Sequence, residues 1–578
     1  MGTEPVEPSE PGERMRRLLL RVLDAAGHIM ALAIVAGFVV RFGTRWGAGH
    51  VPLFRHLDLA VLGFFLFDVL ARLAAAPRWL SHLRARWFDL VVALALVQAL
   101  GTERGAWAWF VGRQVAALVL MPRESVRYRR LVSQLWLHPW RLMVGTFAGA
   151  ILVGTVLLTL PAATPSHEGL EPVDALFTAT SATCVTGLTV TDTGSGLTLF
   201  GQLVVLVLIQ LGGLGIMTFS VSLVLAVGQR LSKSREVVMQ DMLDQESTGE
   251  VLSLVRFIAA TTVIIEAAGA LALFFGFGAH LGYTLATLYQ AVFHSVSAFC
   301  NAGFSLFRNN LMDFSSDVGV NLIITTLIIL GGLGFPVLRD LMAAATRRRL
   351  GEAHARRLRT QTKVVLATSA TLIVVGAALF YLLERKGQLA PMPPGQRVLA
   401  AYFQSVTART AGFNTVDIGK VGVPALVLLM GLMFVGASPG STGGGVKTTT
   451  AAILIQALRA AFRGRTQVEL FQRTVPLLVV RRAIALVVLS ELVLGVVLLG
   501  LTSVEKQPLD TVAFETVSAF GTVGLSAGAT GRLTTAGRLI ITALMFVGRL
   551  GPLTMAFSLL GETRPAAYRY PEERIMVG

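Results

Sequence analysis

Four short glycine motifs are the part of this chain best placed to do chemistry, and the chemistry they suggest is coordination of a dehydrated cation. They read Thr183-Cys184-Val185-Thr186-Gly187-Leu188, Phe299-Cys300-Asn301-Ala302-Gly303-Phe304, Ala408-Arg409-Thr410-Ala411-Gly412-Phe413 and Phe520-Gly521-Thr522-Val523-Gly524-Leu525. The motif glycines (187, 303, 412 and 524) fall 116, 109 and 112 residues apart. A glycine tolerates φ > 0, so neighbouring carbonyls can turn toward a common axis. A ring of such carbonyls replaces the water around a cation in a channel filter, and Thr522-Val523-Gly524 reads like three residues of a TVGYG loop. Any one motif could simply let helices pack closely. Four in register, each followed by Leu or Phe, point to a cation pore made by one chain. The expected filter residues are Val185, Thr186 and Gly187; Asn301, Ala302 and Gly303; Thr410, Ala411 and Gly412; and Thr522, Val523 and Gly524.

Such motifs need helices to hold them inside a membrane, and the composition provides for that. Of the 578 residues, 54% are hydrophobic and only 15% charged, with a mean hydropathy of +0.67, whereas soluble domains carry about 25% charged residues. Each motif lies in a unit that reads as a span (M1), a short helix entering the membrane (P), the glycine turn and a second span (M2). The M2 spans share a second mark: Gly212-Gly213-Leu214-Gly215, Gly331-Gly332-Leu333-Gly334, Gly436-Ala437-Ser438-Pro439 and Gly548-Arg549-Leu550-Gly551. These begin 25, 28, 24 and 24 residues after the motif glycines, and two motifs at matching offsets indicate fourfold internal duplication. The fold class expected is an all-α polytopic membrane protein with four tandem M1-P-M2 repeats around one central pore. The repeats occupy about 136–235, 236–345, 346–465 and 466–578. An extra helical bundle of about four spans precedes them in 1–135.

The net charge of +16 gathers in alternate loops, such as Arg347, Arg348 and Arg349, or Arg459, Arg463 and Arg465. That is the positive-inside pattern of a multi-pass protein rather than a nucleic-acid-binding face. It predicts twelve spans, a cytoplasmic amino terminus, a retained first span and P segments entering from outside. Cys184 and Cys300 read as small apolar fillers beside the filter, not as a disulfide or metal pair. Glu266 and Glu491 read as buried acids paired with Ser, Thr or Arg of a neighbouring helix. Asp174 and Glu515 are expected to steady the P loops or draw cations to the outer mouth.

The third M2 differs from the others. From Gly436 it runs through Ser438, Pro439, Gly440, Ser441, Thr442, Gly443, Gly444, Gly445 and Lys447, and such a run cannot continue a helix unbroken. Irregular backbone at membrane depth is tolerated only against protein or a wet cavity. These residues should therefore hang a polar loop under the filter as a gate. Arg549 stands where other units have glycine. Facing the pore, it would repel a cation and donate to loop carbonyls around Gly440 to Gly443. Lys447 could either gate or snorkel to the surface. A phosphate-binding P-loop is rejected at Gly440 to Gly445, because Val446 intervenes before the lysine and no strand precedes. No nucleotide site is expected in this chain.

Together Thr410-Ala411-Gly412-Phe413-Asn414-Thr415, Asn301-Ala302-Gly303-Phe304-Ser305 and Thr522-Val523-Gly524-Leu525-Ser526 resemble the Trk/Ktr/HKT superfamily of potassium transporters, most closely the pore subunits of the bacterial Ktr and Trk systems. The resemblance covers about residues 140–560. It implies potassium (K+) uptake across the cytoplasmic (inner) membrane, with K+ at Gly187, Gly303, Gly412 and Gly524. Sodium-favouring plant relatives carry serine at the first of these, so Gly187 implies a potassium preference. One glycine per motif, against two in a potassium channel, predicts a looser preference than in a TVGYG pore. The resemblance also implies a homodimer in the lipid bilayer, an intramembrane gating loop at the broken span, and a separate cytoplasmic nucleotide-binding regulatory ring. The basic loop Arg347 to Lys363 offers a docking surface for that ring. Two other readings stay open. A cation-coupled secondary transporter would more usually show inverted repeats. A voltage sensor in the first 130 residues would need more arginines than Arg113 in its fourth segment. No hydrolase or redox motif appears, so no enzyme activity is expected.

Overall fold

The computed structural model describes residues 139–214, 248–349 and 358–552. The amino-terminal bundle expected in 1–135, residues 350–357 of the basic loop from 347 to 363, and the carboxyl tail from 553 lie outside the described residues. The chain divides into two compact units. One is described over 159–170, around a single 3-10 turn, Pro161–Ala163; the other, described over 139–158, 171–214, 248–349 and 358–552, holds all four motifs.

In this second unit the helices are α1 (Pro139–Leu158), α2 (Pro172–Thr183), α3 (Leu199–Gly213), α4 (Thr248–Leu281), α5 (Leu285–Phe299), α6 (Val318–Leu333) and α7 (Phe335–Arg349). They are followed by α8 (Thr360–Glu384), α9 (Pro394–Thr407), α10 (Val423–Phe434), α11 (Thr448–Phe462), α12 (Leu477–Val504), α13 (Leu509–Gly521) and α14 (Thr535–Leu550). Segments 253–281, 360–384 and 477–504 are long and apolar enough to cross a membrane alone. Between α11 and α12 a two-stranded antiparallel hairpin, β1 (Val468–Leu470) and β2 (Arg473–Val475), interrupts the all-α expectation.

Local sequence sets where the short helices begin and end. Pro172 and Pro394 occupy the first turns of α2 and α9, where a missing N–H costs nothing. Thr284 caps α5 by accepting the Thr287 N–H at 3.2 Å. Thr198, Asp317 and Thr534 cap α3, α6 and α14 through their side chains. The sequence predicted a break only in the third M2, yet α6 and α7 meet at 100°. Gly334 lies between them at φ 90°, and α14 likewise ends on Gly551 at φ 85°. In the second and fourth marks the last glycine is thus left-handed, a conformation that glycine takes without a Cβ penalty.

Aromatic packing holds the short helices in place. Phe277, Phe293, Phe299, Phe403, Phe413, Phe514 and Phe520 are all fully buried. Outward, Val263, Ile264, Val374, Val488, Leu492 and Leu499 are exposed, as lipid-facing positions of spans should be. Glu491 is exposed among them rather than buried, because Val488 and Leu492 place that face of α12 outward.

Candidate functional site

Helices α2, α5, α9 and α13 each run directly into one glycine motif, and the four turns share one backbone design. In each, the residue two before the glycine is left-handed: Val185 at φ 57°, Asn301 at 59°, Thr410 at 73° and Thr522 at 50°. The glycines are left-handed too, at φ 92°, 70°, 77° and 91° for Gly187, Gly303, Gly412 and Gly524. Left-handed backbone at a β-branched residue costs of order 1–3 kcal/mol and persists only where surrounding structure imposes it. Each segment therefore carries two left-handed residues although only one is glycine.

The four turns close on each other. A Cβ built on Gly187 would stand 3.1 Å from the Gly303 Cα, one on Gly303 3.0 Å from that of Gly412, one on Gly412 3.1 Å from that of Gly524, and one on Gly524 3.0 Å from that of Gly187. Each such Cβ would also press on the carbonyl oxygen of the residue before the next glycine, namely Ala302, Ala411, Val523 and Thr186 in turn. This is a ring of four glycines with no room for a side chain. A cavity of about 230 Å³ opens on it, lined by all four glycines and by Thr189, Ser305, Asn414 and Ser526. The ring's backbone and these polar residues supply carbonyl, hydroxyl and amide oxygens, hard ligands suited to an alkali cation. Among the described residues no cluster of His, Cys, Asp or Glu is set to hold a metal ion.

Hydroxyls brace each turn from behind, a feature the glycine spacing does not reveal. Ser181 and Ser518 accept the N–H of Gly187 and Gly524 at 3.1 and 3.2 Å. Ser297 and Thr407 donate to the carbonyls of Phe304 and Phe413 at 2.8 and 2.6 Å. The signal available in the sequence was a Ser or Thr five or six residues ahead of every glycine. The glycines that open the second marks have a steric reason as well. A Cβ on Gly212, Gly331 or Gly548 would collide with the carbonyl of Thr183, Phe299 or Phe520, four residues before the respective ring glycine.

Beneath the ring, α10 stops at Phe434 and α11 starts at Thr448, and the residues between fold inward. Gly436 and Val446 are joined by an N–H···O bond of 2.9 Å, closing the loop at its neck. The loop reaches three of the motifs. The Gly444 N–H donates to Thr522 Oγ1 at 3.1 Å, and Thr442 Oγ1 donates to the Phe299 carbonyl at 3.3 Å. A Cβ on Gly443 would collide with Thr410. On its other side the loop rests on the α6–α7 hinge, where the Ser438 N–H donates to Gly332 O at 3.1 Å and Gly440 O accepts the Phe335 N–H at 3.0 Å. Ser441 donates to the Ser438 carbonyl at 2.6 Å. A Cβ on Gly445 would lie 3.4 Å from the Gly436 and Gly521 Cα atoms.

Arg549, at the end of α14, is buried and donates from Nη1 to the Thr442 carbonyl and from Nη2 to the Gly212 carbonyl. One guanidinium thus clasps the loop to α3. Lys447 turns onto the loop and donates to the Gly443 carbonyl at 2.8 Å. Asp174 forms a 2.5 Å ion pair with Arg538 of α14, and Glu515 accepts from Ser526 and Thr530. Glu266 accepts from Ser295 Oγ of α5 only at its backbone carbonyl, at 2.7 Å, and its carboxylate meets no Ser, Thr or Arg among the described residues. It accepts from Gln210 Nε2 at 3.2 Å and lies 3.7 Å from Cys300 Sγ, because Gly213 leaves the space into which Cys300 fits. Both cysteines are buried and unpaired.

The family model described as "TrkH: Cation transport protein" matches residues 129–561. The Ktr system potassium uptake protein B of Bacillus subtilis (strain 168) is 40% identical over 445 residues, covering 76% of this chain and 96% of that protein. The potassium/sodium uptake protein NtpJ of Enterococcus hirae is 39% identical over 449 residues, covering 76% and 98%. Among solved structures, the crystal structure of the potassium transporter TrkH from Vibrio parahaemolyticus matches with a TM-score of 0.59 at 19% identity, over 82% of this chain and 96% of that one. At that identity the likeness speaks for the fold alone.

Proposed function

The chain belongs to the TrkH cation transport protein family, a family of transporters and not of enzymes, and from that premise we propose that it takes K+ into the cell across the cytoplasmic membrane. The four glycine turns form the selectivity filter of one pore built from four M1-P-M2 repeats. The loop between Phe434 and Thr448, held by Arg549, is its gate. The observation that carries this reading is the closed ring, in which each glycine abuts the next with space only for backbone. Relatives named as potassium uptake proteins, covered over more than 90% of their own length, support K+ as the ion. The ends of α2, α5, α9 and α13 present their dipoles' negative poles to the ring, which favours a cation there.

The assembly we infer is a homodimer with cytoplasmic amino termini, seated on a separate nucleotide-binding ring, with no nucleotide held by this chain. In liposomes containing the purified protein, K+ flux should follow the K+ electrochemical gradient and stay unchanged when proton or sodium gradients are imposed or removed. Flux driven uphill by either gradient would establish coupled transport instead. The first 128 residues precede the family match and carry none of the four motifs, so we place an accessory bundle there. Deleting them should leave K+ flux measurable, since the four motifs and the gating loop all lie in the rest of the chain. A folded, dimeric truncation with no flux would give that region a part in conduction.

A further inference from the structure

Besides the bracing hydroxyls, each of the four short helices carries a polar side chain one turn further back: Thr178, His294 and Glu515 nine residues before their glycines, and Gln404 eight before. All four are buried. Only two of them reach forward to the far side of their own turn. His294 Nδ1–H donates to the Gln290 carbonyl at 2.7 Å, which leaves Nε2 as the acceptor for Ser305 Oγ at 2.9 Å. Its ring stacks on Phe307 with centroids 4.6 Å apart. Glu515 accepts from Ser526 Oγ at 2.5 Å, Thr530 Oγ1 at 2.7 Å and the Ala529 N–H at 3.2 Å. Ser305 and Ser526 each stand two residues after a ring glycine and line the cavity. In the first and third segments Thr178 Oγ1 and both amide atoms of Gln404 find no partner among the described residues.

The contact order around the ring runs Gly187, Gly303, Gly412, Gly524 and back, so the two braced segments face each other across the axis. We propose that His294 and Glu515 are positioning residues that fix the span of the ring along this one diagonal and thereby set its preference between K+ and smaller alkali cations. Selectivity is a difference between two affinities. A ring that contracts freely around Na+ loses part of that difference, whereas one pinned on a diagonal resists contraction. The carboxylate, accepting from three donors, is the stronger of the two braces. This inference rests on the reading of the ring as the filter.

The test is the K+:Na+ flux ratio in liposomes for Glu515→Gln, Glu515→Asp and Ser526→Ala, each first shown to be folded and dimeric. Glu515→Gln puts an amide donor where two hydroxyls and an N–H donate, and should lower the ratio about three- to tenfold, the range expected from the net loss of one ordinary hydrogen bond. Glu515→Asp keeps the carboxylate and should lower it less. Ser526→Ala removes the tether from its other end, so it should act like Glu515→Gln and add little to it in the double variant. If Glu515→Gln does not fold, the Ser526→Ala ratio decides alone. Wild-type ratios in Glu515→Gln and Ser526→Ala, with a changed ratio in Gly187→Ser, would overturn the brace and leave the filter standing. Wild-type ratios in all of these variants would overturn both.

Discussion

Replacing Arg549 with alanine should raise K+ flux through the isolated protein by at least about tenfold, in the absence of any cytoplasmic partner. The guanidinium donates to the Thr442 carbonyl in the loop and to the Gly212 carbonyl of α3, so one side chain ties the proposed gate to α3. A hydrogen bond from a charged group is worth about 1.5–3 kcal/mol. Losing two moves a closed-to-open equilibrium by a factor of ten or more. The same change removes a buried positive charge from the cation path, and that also favours conduction. Arg549→Gln keeps a donor without the charge and should fall between parent and alanine variant. Deleting Gly443 to Gly445 shortens the loop where it presses on Thr410 and Thr522, and should act in the same direction. Flux of a potassium tracer into proteoliposomes measures all three. If the variants are folded and conduct no faster than the parent, the loop is not the gate.

The second large effect is expected at Gly187. This residue lies at φ 92°, where any side chain is strained by about 1–3 kcal/mol, and a Cβ there would press on the Ala302 carbonyl of the next segment. Gly187→Ser must therefore push one segment outward or turn a carbonyl away from the axis. Either response damages the fit for K+ more than it hinders the smaller Na+. A loss of 1.4 kcal/mol of discrimination is a factor of ten, so the K+:Na+ flux ratio should fall by about that factor.

What the sequence made legible was what glycine and proline alone permit. The even spacing of Gly187, Gly303, Gly412 and Gly524 pointed to a ring, and the Pro439-to-Gly445 run located a broken helix that in the structure spans Phe434 to Thr448. Four features stayed hidden, each because long-range contact rather than local preference decides it. Asn301 and the β-branched Val185, Thr410 and Thr522 are left-handed, a region that β-branched residues avoid, so counting glycines understated how many backbone positions the ring fixes. Gly334, one of the glycines of the M2 marks, is the left-handed hinge between α6 and α7. At Gly334 the cause is the Pro439–Gly440 backbone lying against it, which no local pattern announces. Glu491 looked buried by composition, yet the rotation of α12 exposes it. The partners of Glu266 depend on how α3, α4 and α5 meet, which its own helix does not specify.

The most direct test of the ring is to measure K+ and Na+ flux side by side through purified wild-type and Gly187→Ser protein in liposomes, at equal protein content and under the same imposed potential. A wild-type preference for K+ that falls by about tenfold in the variant, with Na+ flux maintained or raised, is the predicted result. A folded Gly187→Ser protein with the wild-type K+:Na+ ratio would contradict the assignment of the glycine ring as the filter.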